Sequence, residues 1–600
     1  MVESKQPKSP TISTAQQKQV WQFLILVAVI AVVNVASGQF YKRFDLTKEK
    51  RFTLSKTTHE LVGQLEEPMY VQIFLDGEFP QEYRRLKNAA HDLLDEYQLI
   101  SKGNIIYRFE DLLTDKPIKE KDDILKQLAG KGVQITRPEI GQDEATSEKF
   151  IIPAGLVNYK GKEYPLNLLK REFGQPLEED INGSIELLEY EIGNIIRKCV
   201  VDREIKIGFT KGHGELEHVY LADITKSLEE FYTVEDININ ITDTACTKQF
   251  FSRISAEPDR AGEILLNGVM NQMNSYNALI VAKPRISFLD EELFLLDQYV
   301  MNGGKVIWLA EPLIAEMDSV AKYGSIMTAD YNLNVNNLLF RYGVRINPSL
   351  IQDLNCHCIP VLANGASGQP GFMPWLFYPI FAPQGDHPIV RNMTSVWGRF
   401  AAGIDTLPNK DLKKTVLLQS SNTSRIANNP VNVSLELLSL KPTAEMFRHP
   451  HNIAAVLVEG KFNSLYAHRP SMKKKSPIPY KAEVENNSMI VISDGDLIAN
   501  QTDKEKKQVY PLGYDKYASK AFKEPVEFAN KKFFLNCVDY LCDESNLIEV
   551  RSKKIQLRLL DKAKVKAEKT KWQVINMVLP ILGLLLFGLI NAWIRKKKYT

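Results

Sequence analysis

The chain has 600 residues, 44% hydrophobic and 25% charged, a composition of ordinary globular domains that excludes a disordered or low-complexity protein. Its 75 Lys and Arg nearly balance 73 Asp and Glu, and the net charge of +2 argues against a nucleic-acid binder, which needs a concentrated basic stripe. Six cysteines, none in a CxxC, are too sparse for a disulfide scaffold; in an oxidising compartment one or two bridges would be available, with no pairing readable.

Residues 1–19 form a polar tail, and 20–37 are predicted as a first transmembrane helix, because Val20 to Ala36 carries no charge. A rival reading is a signal peptide, with Val35-Ala36-Ser37-Gly38 offering the small residues a peptidase prefers. At the other end, 572–594 is uncharged and flanked by Trp572 and Trp593, long enough for the roughly 20 residues that a bilayer core requires. The tail 595–600 opens with Arg595-Lys596-Lys597-Lys598, so the positive-inside rule predicts a cytoplasmic C-terminus. With two spans, the N-terminus carrying Lys5, Lys8 and Lys18 is cytoplasmic too, which puts the body in the periplasm and the protein in the inner membrane. Within a predicted membrane-proximal helix at 551–571, the Lys-rich stretch Asp561 to Lys571 pulls the other way.

Between the spans, 51–200 reads as a first domain. Ser55 precedes an amphipathic run, Met69 to Gly77 alternates as a strand, and Gln81 to Ile100 has helical spacing. A strand at Asn104 to Leu112, a helix at Ile118 to Leu128, a hairpin around Lys160-Gly161-Lys162 and a helix at Ile181 to Lys198 follow. That order is thioredoxin-like, but no Cys precedes Cys199, so the domain is read as a scaffold without CxxC chemistry.

A larger α/β domain is predicted over 204–550. Glu204 to Glu215 is an apolar strand entering a Gly-rich turn, His218 to Glu230 a helix, and Thr233 to Ile239 a strand. Tyr276 to Pro284 is a buried-type strand, and Leu289 to Pro312 is helix, Gly303-Gly304 stop and a second buried strand. Continuous apolar strands alternating with helices predict a parallel sheet covered on both faces, with ligands at the carboxyl ends of its strands. Thr210 to Glu215 and Ala310-Glu311-Pro312 fall on that edge. An inserted subdomain is expected near 351–446, and Ile453 to Glu459 is expected to pair with Ser464 to His468 around GKF. Ser488 to Ser493 reads as a strand, Asn530 to Leu541 as a helix.

Gly212-His213-Gly214-Glu215 is the most chemical-looking motif, since His and Glu at a strand end can act as acid, base or ligand. Glycines there equally answer backbone demands. His213, Glu215 and Glu311 are the predicted ligand-binding residues; no catalytic residue, metal ligand or cofactor is assigned. No GxxxxGK[ST] occurs, so ATP hydrolysis is assigned to another chain, and no GxSxG appears. Cys356-His357-Cys358 is read as an extended segment and Asp494-Gly495-Asp496 as a turn. In the second span, Pro580, Gly583, Asn576 and Asn591 are suited to packing on another membrane helix.

RFTLSKTT after the first span, IGFTKGHGE, NALIVAKPRISFLDEEL with MNGGKVIWLAEP, VLVEGKFNS, IVISDGDLIAN and NKKFFLNCVDYLCDESNLIEVRSKK occur in one order over nearly the whole chain. In this the chain resembles the GldG family of gliding-motility proteins, auxiliary and substrate-binding-like subunits of ABC-2-type transporters in Bacteroidota. The resemblance implies a flavodoxin-like or class I amidotransferase-like second domain without activity, since Thr210-Lys211-Gly212-His213 stands where the amidotransferase nucleophile would be. It implies a non-enzymatic subunit that works at the membrane with a multi-span permease and a separate cytoplasmic P-loop ATPase. On that reading the body is expected to bind a saccharide, a peptide or an envelope protein at the strand edge near His213 and Glu215, beside membrane lipid. The alternative is a membrane-anchored hydrolase or glycan-binding protein using the His213 and Glu215 edge.

Overall fold

The computed structural model describes residues 14–39, 53–136, 150–543, 550 and 562–599, less 78, 115, 171–175, 201–203, 363–369, 392, 440–441, 468–478, 504–506 and 524. The basic run at Lys473 to Lys475 and the proximal segment 551–561 lie outside the described residues. Two compact units are resolved, Met1–Thr53 and Leu54–Thr600. The first contains helix α1 (Thr14–Gln39), whose apolar stretch Trp21–Asn34 is short for a membrane span. In the second, the helix Lys562–Tyr599 contains Glu568–Ile594, 27 residues of mean hydropathy 2.2, long and apolar enough to cross a membrane.

The stretch after residue 53 folds as the alternating pattern requires. Ser55 caps α2 (Lys56–Val62), its Oγ accepting from Thr58 N at 3.1 Å, and Glu189 Oε1 in turn accepts from Ser55 N and Thr58 Oγ1. Strand β1 (Met69–Ile73) is followed by α3 (Gln81–Ile100), β2 (Ile105–Phe109), α4 (Ile118–Gly130), the hairpin β3 (Ala154–Tyr159) and β4 (Lys162–Asn167), and α5 (Leu177–Val200). The sheet order is β2-β1-β3-β4, with β1 and β2 parallel and the other neighbours antiparallel. Tyr83, Leu86, Ala90, Leu94 and Tyr97, spaced three or four apart, bury one face of α3 in this core.

The larger sheet is built from β5 (Lys206–Lys211), β6 (Thr233–Asn238), β7 (Ala278–Ala282), β8 (Lys305–Leu309) and the strand Glu483–Ile492, all parallel to their neighbours, in the order β6-β5-β7-β8-(Glu483–Ile492). Alternation sorts side chains to its two faces. Leu279, Val281, Val306 and Trp308 pack on one side with the helix Asp290–Met301 and the preceding helix Ala261–Met273. Ala278, Ile280, Ala282, Ile307 and Leu309 pack on the other with α6 (His218–Glu229) and the helix Asn530–Cys542. Covered on both faces, these strands are the continuous apolar runs seen in the sequence.

Beyond Glu483–Ile492 the sheet continues antiparallel through Ile453–Asn463, Leu412–Gln419, Pro370–Pro383 and Cys356–Leu362. Strands from the stretch 351–446 therefore extend the main sheet. The hairpin expected at 453–468 is corrected: a single strand, Ile453–Asn463, runs through Gly460, and Ser464 to Ala467 is a turn. Gly460 has φ +129°, and a Cβ there would lie 2.3 Å from the Asp411 carbonyl oxygen, so the glycine makes a bulge in a continuous strand, where the sequence reads it as the centre of a hairpin. All six cysteines are free, and Cys356 to Cys358 is extended as expected.

Candidate functional site

Strands β5, β7, β8 and Glu483–Ile492 deliver their carboxyl ends to one edge, as the sequence predicts for Thr210 to Glu215 and for Glu311. The topological switch of this sheet, where β6 and β7 leave β5 on opposite sides, lies between β5 and β7. There the loop after β5 closes on the loop after β7. Arg285 N and Ile286 N both donate to the His213 carbonyl oxygen, at 2.7 and 2.9 Å. Gly212 (φ +104°) and Gly214 (φ +73°) supply the left-handed turns, and a Cβ on Gly212 would meet Asn238 Oδ1 at 2.4 Å.

His213 and Glu215 are both buried. His213 stacks on Phe288 at 3.9 Å between ring centroids, and its Nε2 is 3.0 Å from Glu292 Oε2. Glu292 also accepts from Leu289 N and Ile241 N, while Glu215 Oε2 accepts from His213 N at 2.7 Å. His213 Nδ1 and Glu215 Oε1 are 3.9 Å apart and neither is hydrogen-bonded among the described residues. The two side chains brace the turn against the helix Asp290–Met301 and do not face solvent.

Glu311 has a different setting. Two strands along, after β8, it lines a cleft of about 440 Å³ whose polar wall is Asp330, Asn332, Asn334, Asn336 and Asn337. Asn332 (φ +52°) and Asn334 (φ +64°) take the left-handed conformation that asparagine tolerates, and Asp330 Oδ1 accepts from Asn332 N at 2.8 Å. The floor is apolar, with Leu333, Val335 and Ile346 belonging to the main core.

Behind the cleft lies a buried ionic cluster. Lys283, only 2% exposed and itself at φ +57°, follows β7 and sends Nζ to Asp496 Oδ2 at 2.7 Å and Glu311 Oε2 at 3.2 Å. Glu311 Oε1 accepts from Gly495 N at 2.9 Å and Asp496 N at 3.3 Å, which fastens the end of β8 to the turn after Glu483–Ile492. Asp494 caps the short helix Gly495–Ile498, and its Oδ2 accepts from Arg399 N at 2.7 Å; the Arg399 side chain donates to the Asp496 and Ala499 carbonyls. Burial, reinforced by Asp496 and Asp494, pushes the Glu311 carboxyl up to about 8 against the opposing pull of Lys283. Burial with Asp496 alongside pushes Asp494 up to about 7. Asp496 moves the other way: burial works against its charge, but Lys283 and Arg399 hold it below the ordinary carboxylate range.

Of the predicted residues, then, Glu311 borders a cleft, while His213 and Glu215 are internal. Lys283, Asp494, Asp496 and Arg399 are additions made by the structure. A trace of them is present in sequence, since Lys283 and Asp494 follow runs of apolar strand residues, where an ionisable group is held at a buried sheet end.

Residues 204–537 match the family described as ABC-type uncharacterized transport system, and 48–158 match a domain of unknown function. The chain is 19% identical over 565 residues to an uncharacterized protein of Borreliella burgdorferi, with 93% of this chain and 94% of that protein covered. It is also similar to the solved mmIFT52 N-terminal domain, at 12% identity and a TM-score of 0.29, over 56% of this chain and 97% of that one; a likeness at that level carries no argument.

Proposed function

The chain belongs to the family described as ABC-type uncharacterized transport system, and from that membership we propose that it is a non-enzymatic auxiliary subunit of a GldG-like, ABC-2-type transporter linked to gliding motility. The observation that carries the reading is that the matched region, 204–537, is the stretch that builds the parallel sheet and the Glu311 cleft at its carboxyl edge. The subunit pairs with a multi-span permease and a separate cytoplasmic ATPase, since its own sequence lacks a phosphate-cradling GxxxxGK[ST] loop. Terminal helices at 20–37 and 572–594 hold a periplasmic body beside the permease, with both termini cytoplasmic, and Asn576, Gly583 and Asn591 pack on permease helices.

The first domain is thioredoxin-like in this reading, supported by the order β2-β1-β3-β4, and serves for docking. The second is flavodoxin-like, supported by the parallel order β6-β5-β7-β8-(Glu483–Ile492). Ligand meets the cleft at Glu311, while His213 and Glu215 keep the neighbouring turn in place. The assembly isolated through a tag on this chain should hydrolyse ATP, and the purified chain alone should not. ATP turnover by the chain alone would overturn the auxiliary reading.

A further inference from the structure

We propose that the cleft binds a neutral saccharide, holding its hydroxyls on the asparagine amides of the wall and the C–H face of a ring on the aliphatic floor. The inference rests on the reading of this cleft as the working site. Its first support is a pair of side chains that the fold does not employ. Asn332 (φ +52°) and Asn334 (φ +64°) take left-handed turns, and Asn334 Nδ2 donates to the Phe288 carbonyl oxygen at 3.1 Å, so both have a part in the loop. Asn336 and Asn337 have no such part. They open the helix Asn336–Arg341, where asparagine is a poor helix former. Both are exposed and line the cleft, with side-chain amides that bond to nothing among the described residues. Each amide presents an acceptor and a donor side by side, which neighbouring hydroxyls of a sugar satisfy together.

The second support is the charge of the lining. No Lys or Arg lines the cavity among the described residues, so an anion finds no counter-ion there. Glu311 offers no seat for a cation: Oε1 is taken by Gly495 N and Asp496 N, and Oε2 is turned to Lys283 Nζ at 3.2 Å. Asp330 Oδ1 is used by Asn332 N, which leaves Oδ2 as an acceptor for a hydroxyl. A single exposed carboxylate holds a cation only weakly. The third support is the floor. Leu333 and Val335 are buried between the exposed asparagines, and with Ile346, Ala310 and Pro312 they give an aliphatic surface beneath the amides. A pyranose has the matching division, with hydroxyls around its rim and C–H groups on its face. A cavity of about 440 Å³ is of the size that takes small ligands. An extended peptide bonds chiefly through its backbone to a free strand edge, whereas the polar groups here are side chains on a loop and a helix start.

The test is saturation-transfer NMR on the full chain, solubilised in a detergent without a sugar headgroup. The probes are cellobiose, maltose and N,N′-diacetylchitobiose, beside N-acetyl-trialanine amide as a neutral peptide. At least one disaccharide should bind, with transfer strongest at the C–H protons of one ring face, and the peptide should not. Asn336→Ala combined with Asn337→Ala, at exposed positions outside the core, should weaken that binding about tenfold or more while leaving the melting temperature unchanged. Sugar binding that survives both alanines would lie elsewhere and overturn the assignment, as would failure of every disaccharide to bind. Binding of the peptide instead, lost in the same double variant, would overturn the saccharide class and leave the cleft as the working site. Recovery or loss of transporter partners judges the auxiliary reading separately.

Discussion

Lys283 is the residue on which the sheet edge turns. It sits in a left-handed conformation against Gly495, where a Cβ would come within 2.6 Å of the Lys283 Cβ and Cγ and 3.1 Å of its Cα. Gly495→Ala should therefore destabilise by about 1–3 kcal/mol, because neither backbone has room to retreat. Lys283→Met should cost more, about 3–5 kcal/mol, since it strips the cation from buried carboxyls. Chemical denaturation of each variant checks both figures. The cluster also sets a pH dependence. Glu311 and Asp494 are held above their unfolded values, so the folded chain binds those protons more tightly. Their stabilising contribution is complete below the unfolded carboxyl range of about 4 and is lost as pH rises through about 7 and about 8. Asp496 is held low and acts oppositely, losing its contribution only in acid. Melting temperature should fall as pH rises from about 5 to about 8, and Glu311→Gln should flatten the upper part of that fall. A melting temperature that rises across the same interval in the parent chain would contradict the cluster as described.

Among the elements, strands and helices with a clean period were legible. Residues 81–100 are helical as read, and the hairpin around Lys160-Gly161-Lys162 forms where the turn residues put it. Strand β7 was readable because a strand covered on both faces must be apolar throughout. Gly460 misled because a glycine between two apolar runs has the same signature in a bulge as in a turn, and only pairing with Leu412–Gln419 and Glu483–Ile492 tells them apart. The Glu311 cluster was half legible: a strand end marks an edge, but which side chains turn inward depends on loops that meet from 200 residues away, as the 213-residue separation of Lys283 and Asp496 illustrates. Tertiary polar joints were invisible for the same reason. Asp539 accepts from Tyr190 and Tyr232, each at 2.7 Å, tying α5 and the segment before β6 to the helix Asn530–Cys542, while Arg197 approaches Asp543 at 3.5 Å. Asp539→Ala should cost about 2–5 kcal/mol by leaving two buried phenols without their acceptor, with Asp539→Asn recovering part of the loss; thermal unfolding distinguishes them.

For the molecule as a whole, the sequence supplied the broad class, an α/β body with apolar terminal segments, and the structure supplied the sheet order and the cleft. Among the described residues, Glu568–Ile594 is the helical stretch long and apolar enough to span a bilayer. Deleting 572–600 should shift the protein from the membrane pellet toward the supernatant on fractionation, completely if 20–37 is cleaved and in part if it remains as an anchor. The central claim is that this chain is a partner subunit, and it is tested most directly by affinity isolation of the full chain from its native membrane in mild detergent, with mass spectrometry of what accompanies it. The account predicts recovery of a multi-span permease and a P-loop ATPase in amounts comparable to the chain. Recovery of the chain alone, under conditions that keep other membrane complexes intact, would contradict it.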